Sequence, residues 1–209
     1  MQGPLPVIPL MTPGDSESMS ASPVPASSTA RTVFVLGGAR SGKSAYAERC
    51  AAQSGYPVRY IATATPPSAH DDPEFAERIA IHRARRPAGW QTVEAGADLA
   101  SALRDTGDAG DACLIVDCLT LWLTGLFFPA GGGGPVADWA RHVDAFDAAL
   151  AGVRAPVYVI SNEIGLGVVP LGADTRRFVD ELGRINQRMA ARCDEVVLMV
   201  AGLPMRVKP

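Results

Sequence analysis

From Thr32 onward, short apolar runs alternate with stretches whose apolar residues recur at helical spacing; no such order precedes it. Five runs read as strands: Val33-Phe34-Val35-Leu36, Val58-Arg59-Tyr60-Ile61, Cys113-Leu114-Ile115-Val116, Val157-Tyr158-Val159-Ile160 and Val196-Val197-Leu198-Met199-Val200. Helical patterns cover 44–52, 75–85 and 136–153. Phe178, Leu182, Ile185 and Met189, at spacings of four, three and four, share one helix face before the fifth run. Short β-branched strands alternating with helices predict an α/β fold, a mainly parallel sheet flanked by helices on both faces. Ligands of such sheets bind at the carboxyl ends of the strands.

Residues 1–30 are rich in Pro, Ser and Met, hold two acids (Asp15, Glu17) and no base, and show no period. They are expected to form a disordered extension, with one domain over 31–209. Gly131 to Gly134, followed by Pro135, predicts a mobile surface loop. Lys and Arg number 19 against 22 Asp and Glu, so no basic excess drives binding to nucleic acid. Cys50, Cys113, Cys118 and Cys193 form no CxxC pair and have no His-rich companion, which argues against zinc and for buried free thiols. No apolar run reaches the roughly 20 residues of a membrane span. The first thirty residues lack the pattern of a secretory signal, so the cytoplasm is the expected location.

The residues Gly37-Gly38-Ala39-Arg40-Ser41-Gly42-Lys43-Ser44 match GxxxxGK[ST] between a predicted strand and a predicted helix, the setting of a P-loop. Glycines there let backbone N–H groups turn inward around phosphate oxygens. Lys43 would reach the β- and γ-phosphates, and the Ser44 hydroxyl would ligate Mg²⁺. Asp117 closes the third run, where a P-loop enzyme places the acid that holds the metal; a helix cap is its other reading. Together these elements indicate a nucleoside triphosphate with Mg²⁺, without saying which reaction.

His82 lies among Arg78, Arg83, Arg85 and Arg86 on a predicted helix. A solvated basic helix end is one reading. The other is chemical: guanidinium groups disfavour the imidazolium and clamp polyphosphate oxygens, and a neutral His beside a triphosphate can attack phosphorus. Asn162, Glu163, Gly165 and Gly167 follow the fourth run, where glycines are expected to permit positive φ and close approach to a ligand.

These residues resemble the bifunctional adenosylcobinamide kinase / adenosylcobinamide-phosphate guanylyltransferase family of cobalamin biosynthesis. The resemblance runs from Val33 to Lys208. It includes the P-loop, Tyr60-Ile61-Ala62-Thr63-Ala64, Arg78-Ile79 with His82, Arg86-Pro87, Trp90-Gln91-Thr92-Val93-Glu94, and Val116-Asp117-Cys118-Leu119-Thr120-Leu121-Trp122-Leu123-Thr124. It continues through 161–170 (SNEIGLGVVP) and 181–188 (ELGRINQR). The resemblance implies a RecA-like P-loop fold, a homotrimer, ATP or GTP with Mg²⁺, and adenosylcobinamide as substrate. It further implies that His82 takes GMP, and that Ala62, Thr63, Ala64, Arg83, Ala84, Arg85, Arg86, Glu94 and Asp117 occupy positions contacting GTP. Glu163 would orient the attacking hydroxyl or bind the corrinoid side chain.

The chain departs from the family pattern in its first thirty residues and in the longer stretch Pro66-Pro67-Ser68-Ala69-His70. His70 is a nearby imidazole whose loop setting favours a solvated side chain, and His142, on a helix without basic neighbours, receives no role. Two other functions remain open on the sequence: a P-loop small-molecule kinase without the guanylyl step, and a nucleotide-dependent regulatory ATPase or GTPase.

Overall fold

The computed structural model describes residues 32–64, 72–129, 132 and 134–209. The expectations for 1–30, for His70 and its loop, and for part of 131–134 lie outside the described residues. In chain order the elements are β1 (Thr32–Gly37), α1 (Lys43–Ala52), β2 (Val58–Ala62), α2 (Pro73–Ala84), β3 (Gln91–Glu94), α3 (Leu99–Gly107) and β4 (Cys113–Asp117). They continue with α4 (Leu119–Phe127), α5 (Trp139–Gly152), β5 (Val157–Asn162), α6 (Ala173–Arg192), β6 (Glu195–Val200) and β7 (Leu203–Lys208).

Seven strands form one sheet in the order β3-β2-β4-β5-β1-β6-β7. Every pairing is parallel except β6 with β7. The five strands expected from apolar runs are the interior five, and both unforeseen strands are edges. An edge strand needs no continuous apolar run: β3 has no buried residue, and nearly all of β7 is exposed. Register brings Ala62 beside both Asp117 and Glu94, and Gly37 beside Asn162. All five stand at the carboxyl edge of the sheet.

Alternation along the strands divides the core. Phe34, Leu114, Val116 and Val159 face α3, α4, α5 and α6, whereas Val33, Val35, Tyr60 and Ile115 face α1. Cys113, Cys118 and Cys193 are buried, Cys50 half-buried, and all four are free thiols. Helix α2 begins earlier than its apolar pattern because Asp72 accepts a bond from the Phe75 N–H at 2.9 Å and Pro73 starts the helix. Helix α5 starts at Trp139 rather than 136, after a turn in which Asp138 is left-handed.

Candidate active site

Strand β1 delivers the chain into the P-loop, and α1 leads it away. At Gly37 (φ 155°) a Cβ would lie 2.6 Å from both the Met199 carbonyl oxygen and Ser41 Oγ, and at Gly42 (φ 95°) one would approach Gly202 Cα to 3.3 Å. Only glycine fits either place. The exposed Gly38, Ala39 and Arg40 complete the bend, with Arg40 left-handed. No side chain caps α1, leaving its first amides available to an anion. Ser41 Oγ is buried without a partner, a hydroxyl that a phosphate oxygen would satisfy. The β6–β7 turn supports the cradle from behind: the Gly202 N–H donates to the Ser41 carbonyl at 3.0 Å. That support comes from 161 positions away and has no signature in the P-loop sequence itself.

Lys43 is buried and its Nζ donates to the Gly38 carbonyl at 2.7 Å, which holds the ammonium inside the loop. Burial pulls its pKa below the ordinary value, and the charge of Asp117 works in the opposite direction. Ser44 Oγ donates to Asp117 Oδ2 at 2.8 Å, and the buried Tyr60 hydroxyl donates to the same oxygen. Asp117 therefore faces the P-loop and does not cap α4, whose N-cap is Cys118. The Ser44 hydroxyl and Asp117 carboxylate suit Mg²⁺, which takes few protein oxygens and completes its shell with water and phosphate. Among the described residues no group of three or more His, Cys, Asp or Glu could hold a metal by itself.

Ala62, Thr63 and Ala64 stay with the sheet edge. The Thr63 N–H donates to the Asp117 carbonyl at 3.2 Å, and its hydroxyl to the Cys118 carbonyl at 2.7 Å. The half-buried His82 is in the last turn of α2. Burial is the largest cause lowering its pKa; Arg85, Arg86 and Arg78 add to the effect and Asp117 opposes it. Burial, which the sequence did not reveal, thus outweighs each arginine taken singly.

The arginines after His82 reach β3, α1 and β2. Arg83 pairs with Glu94 at the end of β3, and Arg85 with Glu48 of α1 at 3.4 Å. Arg86 lies over the Tyr60 ring at 3.7 Å from its centroid and donates to Thr92 Oγ1 at 3.2 Å. Ala84 is exposed between them. Sequence reasoning did not single out Tyr60 or Glu48 as site residues. Glu48 lies one helical turn beyond Ser44, a spacing that shares its face and was available to find it. One of its oxygens is buried without a partner.

At the end of β5 the Glu163 N–H donates to the Gly37 carbonyl at 3.1 Å, which ties the 161–170 motif to the P-loop. Gly165 and Gly167 do not take positive φ, contrary to expectation. The Gly165 N–H instead donates to Glu163 Oε1 at 2.7 Å, and a Cβ on Gly165 would lie 3.0 Å from that oxygen. Its small size leaves the carboxylate room to close the turn. His142 belongs to α5 and stays outside this cluster.

A family model described as cobinamide kinase / cobinamide phosphate guanyltransferase matches residues 33–207. The chain belongs to this family. Relatives include the bifunctional adenosylcobalamin biosynthesis protein CobP of Pseudomonas aeruginosa, 49% identical over 84% of this chain and 96% of the relative. The protein CobU of Salmonella typhimurium is 39% identical over 84% of this chain and 99% of its own length. Among solved structures, the assembled ATPase EscN of the type III secretion system of enteropathogenic E. coli aligns with a TM-score of 0.50. It is 12% identical, over 82% of this chain and 43% of that one. At that identity the likeness concerns fold alone, the RecA-like arrangement in which β5 separates the P-loop strand from the strand bearing Asp117.

Proposed function

We propose that this family member carries out both reactions of its family at one P-loop site. In the first, the hydroxyl of adenosylcobinamide attacks the γ-phosphorus of ATP or GTP, releasing the nucleoside diphosphate and giving adenosylcobinamide phosphate. In the second, a neutral His82 nitrogen attacks the α-phosphorus of GTP and releases pyrophosphate. The phosphate of adenosylcobinamide phosphate then takes GMP from His82, giving adenosylcobinamide-GDP and restoring the imidazole.

The observation that carries this reading is the company of His82: a half-buried imidazole with a lowered pKa, within electrostatic range of Asp117, in a chain that also has an intact P-loop. The loop amides at 37–44 and Lys43 hold phosphate oxygens, and Ser44 with Asp117 would hold Mg²⁺. That ion would offset charge on the transferring group. Ala62, Thr63, Ala64, Glu94 and the segment 83–86 surround the nucleotide. Glu163 orients the acceptor from the end of β5. The working form is a homotrimer in the cytoplasm, and residues 1–30 are dispensable for both activities.

Incubation with α-labelled GTP should leave an acid-labile, base-stable adduct on the protein. His82→Asn should lose the adduct and guanylyl transfer while retaining phosphorylation of adenosylcobinamide, since phosphoryl transfer to a hydroxyl relies on positioning and electrostatics. Lys43→Ala should lower phosphorylation by about 100-fold or more, the usual consequence of removing one such charge-stabilising group. An adduct that persists in His82→Asn would assign the nucleophile to another residue.

A further inference from the structure

We propose that Tyr60 is a positioning residue shared by both transfers, its hydroxyl setting Asp117 and its ring carrying Arg86 of the His82-bearing segment. Tyr60 can serve both only if both use this P-loop site, as proposed above. Strand register sets up the arrangement. Tyr60 is level with Ile115, two residues before Asp117 on β4, and level with Thr92 on β3. Its side chain lies on the α1 face of the sheet and is 1% exposed. From there the phenol reaches forward to Asp117 Oδ2, the oxygen that also accepts from Ser44 Oγ at 2.8 Å.

Two donors on one carboxylate oxygen fix the rotation of the group and leave Oδ1 without a hydrogen bond from the described residues. Oδ1 is thereby the oxygen that would be left for a metal or its bound water, and Tyr60 would set that orientation in the way outer partners orient metal ligands. A phenylalanine would fill the same volume, so the hydroxyl is explained by its bond to Asp117 rather than by packing. The ring has a second task. Arg86 stands 3.7 Å over it while Nη1 bonds Thr92 Oγ1, and Arg86 Nε is buried with no partner. The ring contact and the Thr92 bond together restrain the guanidinium, and the unmatched Nε–H is a donor for an acceptor on the nucleotide. His82 is four residues before Arg86, at the end of a helix with no buried residue of its own. The Tyr60 ring is thus one of the points that place the imidazole.

Two substitutions separate the two tasks. Tyr60→Phe keeps the ring and loses the hydroxyl. Free Mn²⁺ can be followed by its electron paramagnetic resonance signal in the presence of a non-hydrolysable ATP analogue. Metal binding should weaken by about 10-fold or more, as for loss of other outer partners of metal ligands. At saturating Mg²⁺, GMP-adduct formation should recover. Tyr60→Leu removes the ring as well, and its adduct formation should stay low at saturating Mg²⁺. In the Arg86→Met background Tyr60→Leu should cause little further loss, because the ring acts through Arg86. Unchanged Mn²⁺ binding in Tyr60→Phe overturns the first task. Additive losses in the double variant overturn the second. Should the leucine variant fail to fold, Tyr60→Phe at saturating Mg²⁺ still decides: a deficit that persists there contradicts a hydroxyl acting through the metal ligand. Absence of any adduct on the unmodified protein would refute the two-reaction reading and leave the Mn²⁺ result standing on its own.

Discussion

At the residue scale, His82 shows how far the environment can move a single group. Attack on phosphorus needs the neutral ring, so the rate of GMP attachment should rise with pH through the folded-state pKa and then level off. Burial and three guanidinium groups place that pKa below the ordinary 6.5, so the rate at pH 6.5 should already exceed half its plateau. Asp117 opposes the shift, and Asp117→Asn should therefore move the acid limb to still lower pH. Single-turnover incorporation from α-labelled GTP well below saturation, where the profile reports the free enzyme, measures both, and a midpoint above 6.5 would contradict a half-buried neutral imidazole. The sequence revealed His82 and its arginines but not the burial, which depends on what surrounds α2. Lys43, Ser44 and Asp117 were legible because a P-loop packs its chemistry into eight residues and one strand end. Tyr60 was hidden by its own apolar run, where an aromatic reads as core, and part of it is core.

At the scale of elements, α2 differs from the other helices described. It buries no residue, so packing contributes little to holding it. Its attachments are polar: Arg83 with Glu94, Arg85 with Glu48, and Arg86 with Tyr60 and Thr92. Of these, Arg83 with Glu94 is an exposed ion pair, a kind that stabilises by roughly 0–1 kcal/mol. Helix α6, by contrast, buries Phe178, Leu182, Ile185, Asn186 and Met189. Amide hydrogen exchange should therefore open α2 well before α1 or α6. Glu48→Ala should speed it further while leaving α6 protection unchanged. Equal protection of α2 and α6 would show that contacts beyond these pairs hold the helix. The same contrast explains which elements the sequence disclosed. Helix α6 announces itself by spacing. Helix α4 is apolar around nearly its whole circumference, so period alone does not distinguish it from strand. Strands β3 and β7 present too few buried positions to form a run.

At the scale of the whole molecule, the active-site edge depends on helices that supply none of its proposed nucleotide-binding residues. On the face opposite α1, α5 and α6 are joined by a buried carboxylate: Asp147 accepts from Arg192 Nε at 2.6 Å and from Arg188 Nε at 2.9 Å. Asp147 is 6% exposed, and both arginines keep partial contact with solvent. Helix α6 in turn fixes the exit of β5, since Asn186 Nδ2 donates to the Asn162 carbonyl at 3.1 Å one residue before Glu163. Asp147→Ala removes the acceptor for two guanidinium groups that can still turn to water. The expected cost is about 1–3 kcal/mol, the range for a lost charge-assisted bond, rather than that of a stranded buried charge. Its pH dependence follows from sign. Bonds from Arg192 and Arg188 hold the Asp147 pKa below its ordinary value. The stabilisation is complete above the unfolded-state pKa of ~3.9, shrinks as pH falls below it, and is gone under the depressed folded value. Urea unfolding of Asp147→Ala beside the unmodified protein should show a constant gap from neutral pH down to about 5, closing in stronger acid. A gap that persisted unchanged at the lowest pH tolerated by the fold would mean that Asp147 acts through packing, and the charge clamp between α5 and α6 would have to be abandoned.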